Sequence, residues 1–310
     1  MRSKPNSTQD DDSKNVQLKP FLRWAGGKRK LAELIIESVP TNFDPIKNRY
    51  FEPFIGGGAL VFALGNPRGD LYIPGKNLYL NDSNPDLITT YKVVRSDVEG
   101  LIRKLTKLSR DTSKATYERV RSSKPKDEIS RAARFIYLNK TCFNGLWRVN
   151  SKGEFNVPWG KLKTPNILNE ENLRACSKRL KGSHLTSGDF AKALEDVSKG
   201  DLVYFDPPYI PLTSSASFSK YAKDDFSIED HERLSDLIAK LVKKGVHVIL
   251  SNSDTSLSRD IFGPHLTLRQ ISVKRSISAA SSSRKPVMEI IGTSFPVPPS
   301  SYLSKCKTVN

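Results

Sequence analysis

The 310-residue chain is 37% hydrophobic and 27% charged, and its 50 lysines and arginines outnumber 33 acids to give a formal net charge of +17. That length allows about two domains and a sizeable core, and the composition excludes a fibrous or wholly disordered chain. The positive excess favours a polyanionic partner, nucleic acid ahead of an anionic membrane surface. No apolar run reaches the roughly 18–20 residues of a membrane span and the N-terminus is Ser/Asp/Lys-rich where a signal peptide is apolar, so a cytoplasmic protein without a membrane partner is expected. Cys142, Cys176 and Cys306 are far apart, and His184, His231, His247 and His265 form no paired spacing. Neither a disulfide frame nor a metal site is expected.

Residues 1–18 mix charges with Ser, Asn and Gln and are read as a disordered tail. Order is expected from Phe21-Leu22-Arg23-Trp24-Ala25-Gly26-Gly27-Lys28, which opens a helix with Leu31, Leu34, Ile35 and Val39 on one face and Pro40 at its end. Two glycines at a helix start suit an anion. A nucleotide-binding P-loop is excluded, because Leu22 stands where its first glycine belongs and Arg29 follows Lys28 where Ser or Thr is required.

Tyr50-Phe51-Glu52-Pro53-Phe54-Ile55-Gly56-Gly57-Gly58 reads as a strand running into a glycine turn and then the apolar helix of Ala59 to Phe62. This is the first half of a dinucleotide-type unit, where missing β-carbons let a ligand approach the backbone. Leu78-Tyr79-Leu80-Asn81-Asp82 reads as the second strand, ending in a carboxylate about 20 residues past the glycines, the usual place for a ribose-binding acid. The competing role for Asp82 is a helix N-cap, which Ser83 or Asn84 can fill instead ahead of Pro85.

From Pro85 the apolar residues Leu87, Ile88, Tyr91, Val94, Val98, Leu101, Ile102, Leu105 and Leu108 recur at helical spacing. A Lys/Ser/Arg-rich linker is expected over residues 109–126, then a helix through Ile129, Ala132, Ala133 and Ile136. Asn139 to Lys161 differs in kind: two short runs flank Ser151-Lys152-Gly153, a hairpin signal. Arg148 there suits a bidentate contact with guanine, the several Asn suit bases or phosphates, and Phe143 suits stacking or wedging between bases.

The strand–helix alternation resumes near residue 165, and Leu185 to Phe190 ends a strand at Asp189. Leu202-Val203-Tyr204-Phe205 reads as a buried parallel strand, and the turn after it is Asp206-Pro207-Pro208-Tyr209. Prolines remove donors and fix φ, so the Asp206 carboxylate and the Pro207 carbonyl make an acceptor pair beside an aromatic face. That set suits a planar exocyclic amine of a nucleobase. Ser227 to Asp230 reads as a capped start of a helix ended by Gly245, followed by the strand Val246 to Leu250. Leu266 to Val273 and Val287 to Phe295 read as closing strands, with a basic Ser-rich loop between them suited to phosphates. Residues 298–310 are read as a disordered tail.

In this order the chain resembles the Dam-type DNA adenine-N6 methyltransferases of the alpha-group amino-methyltransferase family. The resemblance rests on Phe21 to Lys28, Glu52 to Gly58, Asn139 to Gly160, Asp206 to Tyr209 and Arg275-Ser276-Ile277-Ser278, and spans Phe21 to about Phe295. It implies an α/β, Rossmann-like S-adenosylmethionine-dependent methyltransferase domain over residues 19–84 and 166–297. Inserted over 85–165 would be a mainly helical target recognition domain carrying the hairpin. It implies that Trp24, Ala25, Gly26, Gly27, Lys28, Phe54, Gly56, Gly58 and Asp82 bind S-adenosylmethionine, with Asp189 and Phe190 near its adenine and Asp206 at the junction with the target. The implied partner is double-stranded DNA, mostly GATC in such enzymes, bound by a monomer, with a partner restriction nuclease in some systems.

By the same resemblance Arg23 and Arg148 contact guanines, Leu146 and Pro158 touch interior base pairs, and Phe143 fills the space of the flipped adenine. Asn144, Asn150 and Asn156 hold backbone or bases, and Lys161, Arg275 and Ser276 lie on the DNA side. Trp147, Val149 and Lys161 depart from the enterobacterial pattern, and the stretch from Gly65 to Asn77 is longer than theirs. The rival activities are methylation of cytosine N4, where Ser commonly replaces the first Asp, and an inactive DNA-binding relative.

Overall fold

The structure is a computed structural model that describes residues 18–24, 29–65, 71–211, 226–273 and 287–309, with only the backbone of Arg29 and Lys30. Ala25, Gly26, Gly27, Lys28, Arg275 and Ser276, nearly all of the expected N-terminal tail and the basic loop before Val287 lie outside the described residues.

Among the described residues seven strands form one sheet: β1 (Tyr50–Glu52), β2 (Leu78–Asp82), β3 (His184–Ser187), β4 (Leu202–Phe205), β5 (His247–Ser253), β6 (Thr267–Val273) and β7 (Val287–Thr293). Their order is β3-β2-β1-β4-β5-β7-β6, parallel except for β7 against its two neighbours. Strand order reverses between β1 and β4, which opens a crevice at the C-terminal ends of those two strands. The glycine turn follows β1 and the Asp206 turn follows β4, so the topology alone brings them to one crevice.

Helices α1 (Arg29–Ser38), α2 (Ala59–Ala63), α3 (Pro85–Ser96), α4 (Val98–Leu108), α5 (Lys114–Ser122), α6 (Glu128–Thr141) and α7 (Glu170–Leu180) lie to one side of the sheet. On the other side are α8 (Ile228–Lys243) and α9 (Ser256–Phe262). Strand side chains alternate between the layers: Tyr50, Leu78, Leu80, Leu202, Tyr204, Ile249 and Ile291 join the first core, and Phe51, Val203, Phe205, Val248, Leu250 and Ile290 the second. The four residues of β4 are all buried, as its unbroken apolar run predicts.

Two departures lie in the helical insertion. The long helix expected from Pro85 is two helices, broken at Asp97, whose side chain caps α4 by accepting from Gly100 N. The linker expected over 109–126 contains α5, capped by Ser113, because Tyr117 and Val120 lie one turn apart and are both buried. Helix α3 packs on β2 and β3 while α4 and α6 stack on it, so one apolar layer runs without a gap across residue 85.

The C-terminal segment expected to be disordered is instead packed. Leu303 and Val309 are buried, Gln270 N donates to Lys307 O at 2.9 Å and Val309 N donates to Leu268 O at 2.9 Å. β6 is an edge strand with open backbone groups, and the tail satisfies them. Hydrophilic composition concealed a strand-edge partner.

Candidate active site

Period-two alternation places Glu52, Asp82, Asp206, Ser251 and Glu289 on the first-core face, each two residues from a strand residue already there: Tyr50, Leu80, Tyr204, Ile249 and Ile291. The crevice is thus acidic on one face. Glu52 is 2% exposed and accepts from Tyr50 Oη at 2.8 Å. Burial, with the charges of Asp206 and Asp82, pushes its carboxyl up to about 8 against the Tyr50 hydrogen bond and Arg179.

The glycine turn is held from β2. Gly56 and Gly58 take φ of 47° and 73°, in the left-handed region where a side chain is strained. Asp82 Oδ2 accepts from Gly56 N and its Oδ1 from Asn84 N, both at 3.0 Å. Burial raises the Asp82 carboxyl and these two bonds oppose it. Asn84, not Asp82, caps α3, accepting from Asp86 N and Leu87 N. That leaves Asp82 at the tip of β2, tied to the turn.

Trp24 lies against the same turn: a β-carbon on Gly56 would sit 2.8 Å from its ring. Buried Asn81 joins three strand tips, donating to Pro53 O and Gly188 O at 3.1 Å each and accepting from Thr186 Oγ1 at 2.9 Å.

Phe54, Phe190 and Phe226 meet with ring centroids 5.4–5.8 Å apart. The Arg233 guanidinium lies 4.3 Å over Phe190 and donates to Asp189 Oδ2 at 2.7 Å. Burial works against an ionised Asp189, but the Arg233 bond and the Ala191 N–H outweigh it and lower its pKa. The expected residues Phe54, Gly56, Gly58, Asp82, Asp189 and Phe190 are therefore gathered around the β1, β2 and β3 tips.

Across the crevice, Asp206 Oδ1 accepts from Ser251 Oγ at 2.8 Å, and Ser251 Oγ lies 3.0 Å from Tyr204 Oη. Tyr209 Oη donates to Glu289 Oε2 at 3.1 Å. Pro207 is buried and Pro208 exposed. His231, wholly buried, places Nε2 3.0 Å from Pro208 O and Nδ1 2.8 Å from Ser227 O. Ile210 N donates to Asn252 Oδ1 at 3.1 Å. The turn is thus pinned at Asp206, Pro208, Tyr209 and Ile210 by residues of β5, α8 and β7.

The expected DNA side is assembled by one amide. Asn139 Oδ1 accepts from Arg23 N at 2.8 Å, while its Nδ2 donates to Arg23 O at 2.6 Å and Gly145 O at 3.2 Å. Gly145 is pressed on Arg23, a β-carbon there lying 2.7 Å from the Arg23 side chain. Beyond it Val149 and Phe155 bridge across the turn, with Asn156 N donating to Arg148 O at 3.0 Å. Phe143, Leu146 and Val149 are exposed by 46%, 41% and 43%, an apolar patch next to exposed Arg23, Asn144, Arg148, Pro158 and Lys161.

Two of the expected base or phosphate ligands have local partners. Asn156 Oδ1 accepts from Arg148 Nε at 2.7 Å, and Asn150 Oδ1 accepts from Lys152 N and Glu154 N within the turn. Trp147 packs inward, stacked on Phe135 at 3.7 Å, and Phe135 lies 6.3 Å from Trp24. An aromatic column therefore joins the hairpin to the glycine turn.

Sequence reading passed over Glu52, Asn81, Asn139, Ser251, His231, Arg233 and Glu289. The polar run Ser251-Asn252-Ser253-Asp254 closing an apolar strand was the available signal for one of them. The others are single polar residues inside helices or strands and carry no spacing.

A doubly wound sheet with an acidic crevice at its switch point, beside an exposed basic and apolar hairpin, defines an α/β enzyme acting on nucleic acid. Residues 24–277 match the family model of the D12 class N6 adenine-specific DNA methyltransferases, and the chain belongs to that family. It is 41% identical over 288 residues to the Type II methyltransferase M1.LlaDCHI of Lactococcus lactis subsp. cremoris, covering 90% of this chain and 96% of that one. The same identity over 287 residues, 87% and 96% of the two chains, relates it to the Type II methyltransferase M.MjaIII of Methanocaldococcus jannaschii. The DNA adenine methylase of Escherichia coli K12 is 32% identical over 275 residues, 87% and 93% of the chains. The activity is therefore methyl transfer to adenine N6 of DNA. Among the described residues no helix is long and apolar enough to cross a membrane.

Proposed function

We propose that this enzyme methylates adenine N6 within GATC in double-stranded DNA, taking the methyl group from S-adenosylmethionine. The observation that carries the site assignment is the pairing of β1 with β4, which sets the Gly56–Gly58 turn with Asp82 beside the Asp206 turn. The crevice residues fit the donor's chemistry. The Asp82 and Asp206 carboxyl groups favour a sulfonium cation, Asp82 at the β2 tip also suits ribose hydroxyls, and Phe54, Phe190 and Phe226 offer an apolar bed for an adenine. S-adenosylmethionine, when bound, supplies an electrophilic methyl group.

The target amine is inaccessible while adenine is stacked, so the base is flipped into the pocket of Asp206 to Tyr209. Asp206 and the Pro207 carbonyl accept the two amino hydrogens, which draws the nitrogen lone pair out of conjugation with the ring. Tyr209, anchored by Glu289, stacks on the base. Catalysis is orientation and fixed electrostatics, with no covalent step on the protein: the N6 lone pair would take the methyl group as its bond to sulfur breaks, and one N6 proton would be released. Residues 85–165 act as the target recognition domain: Arg148 within it and Arg23 beside it read guanines, while Leu146 and Pro158 touch the interior pairs. Phe143 occupies the vacated stack, and Asn144, Lys161, Arg275 and Ser276 meet the backbone. The enzyme acts as a monomer, and its greater identity to the Type II relatives than to the E. coli methylase supports a partner restriction nuclease.

The decisive test incubates unmethylated plasmid with protein and S-adenosylmethionine, then digests it with one nuclease that requires methylated GATC and one that is blocked by it. Acquired cleavage by the first and protection from the second are expected. Unchanged digests with modified adenine elsewhere would refute GATC, and no modified adenine at all would refute the site reading.

A further inference from the structure

Asp206 has two carboxylate oxygens, and the amine needs one of them with a fixed direction. A carboxylate at the end of a strand turns about its side-chain bonds unless its other oxygen is held, and the structure shows one group that holds it. The register that sets Phe205 beside Leu250 continues one step to set Ser251 of β5 beside Asp206. Ser251 is wholly buried and donates its one hydroxyl proton to Asp206 Oδ1 at 2.8 Å.

With that proton committed, the Ser251 oxygen acts as the acceptor towards Tyr204 Oη, 3.0 Å away. Tyr204 is 3% exposed, and burial together with the Asp206 charge raises its pKa well above the usual phenol value, so it stays a donor throughout the working pH range. Hydroxyl chains that end on a carboxylate polarise one another. Tyr204 and Asp206 share a sheet face two residues apart on one rigid strand, so the chain closes a loop between neighbouring strands rather than between mobile loops.

We propose that Ser251, oriented by Tyr204, is a positioning residue for methyl transfer: it fixes Asp206 Oδ1 so that Oδ2 meets the amino group of the flipped adenine. The inference rests on the assignment of Asp206 as the amine acceptor. Neither hydroxyl touches the substrate, so their removal slows the chemical step and leaves binding alone.

The test is single-turnover methylation by Ser251→Ala, Ser251→Thr, Tyr204→Phe and the Ser251→Ala/Tyr204→Phe pair, with Asp206→Ala as the control. Dissociation constants for S-adenosylmethionine and DNA are measured beside the rates, and flipping is read from 2-aminopurine at the target position. Ser251→Ala is expected to slow the step by about 10- to 100-fold, the loss of one hydrogen bond to a charged group, with both dissociation constants within about twofold.

Ser251→Thr, which keeps the hydroxyl on a β-compatible side chain, should restore most of the rate. Tyr204→Phe should slow it less, and the double variant should be no slower than Ser251→Ala, because the two act in series. A wild-type rate for Ser251→Ala beside an inactive Asp206→Ala overturns this inference alone. A loss shared with cofactor affinity or thermal stability, or not rescued by Thr, reduces Ser251 to packing and also overturns it. An active Asp206→Ala overturns the underlying assignment instead.

Discussion

Glu52→Gln isolates the acidic crevice in a stability measurement. In the native state the Glu52 carboxyl is buried at 2% exposure with a hydrogen bond from Tyr50, and its pKa is raised from an ordinary 4.5 to about 8. The folded protein therefore holds a proton that the unfolded chain releases between these values. Stability contributed by the neutral carboxyl is fully present below pH 4.5 and is lost progressively as pH rises towards about 8.

Integrating between pH 5.5 and 7.5, the wild type should lose about 2–3 kcal/mol relative to a variant that does not titrate there. Gln keeps an acceptor for Tyr50 and carries no charge at any pH. Urea unfolding of both proteins across that range should show the wild-type midpoint falling relative to Glu52→Gln with unchanged slope. Parallel profiles would refute the reasoning, since Glu52 would then be equally ionised in both states.

Three further outcomes are expected. Arg148→Ala should cost about 1–3 kcal/mol in DNA recognition and relax preference at one base pair, which competition between cognate and singly altered duplexes measures. Asn139→Ala strands Arg23 N, Arg23 O and Gly145 O, and should destabilise by about 1–3 kcal/mol for each group left dry while lowering site preference more than cofactor affinity. Gly56→Ala forces a side chain at φ 47° and 2.8 Å from Trp24, so a loss of about 1–2 kcal/mol from the backbone strain and weaker cofactor binding should appear together in denaturation and titration.

Much of the candidate site was legible because its segments are local. The Gly56–Gly58 turn, Asp82 at a strand tip and Asp206-Pro207-Pro208-Tyr209 are contiguous segments whose backbone demands select their residue types. The two departures near the insertion arose where a local signal was weak: Asp97 both ends one helix and starts another, and α5 shows only Tyr117 and Val120 as apolar markers among charged neighbours. The C-terminal tail was misread because its composition resembles disorder, while its order comes from the open edge of β6.

By itself the sequence determined the alternation of strands and helices, the glycine turn, the acceptor turn after β4 and the exposed hairpin, since each depends on residues adjacent in the chain. Tertiary structure alone decided which polar groups support them. Ser251 reaches Asp206 only through the β4–β5 register, Glu289 reaches Tyr209 only because β7 runs antiparallel beside β5, and Asn139 joins Arg23 to Gly145 across a separation of over a hundred residues. Those partners are chosen by distance in space, and a lone serine, glutamate or asparagine inside an apolar element gives no periodic signal from which that distance can be read.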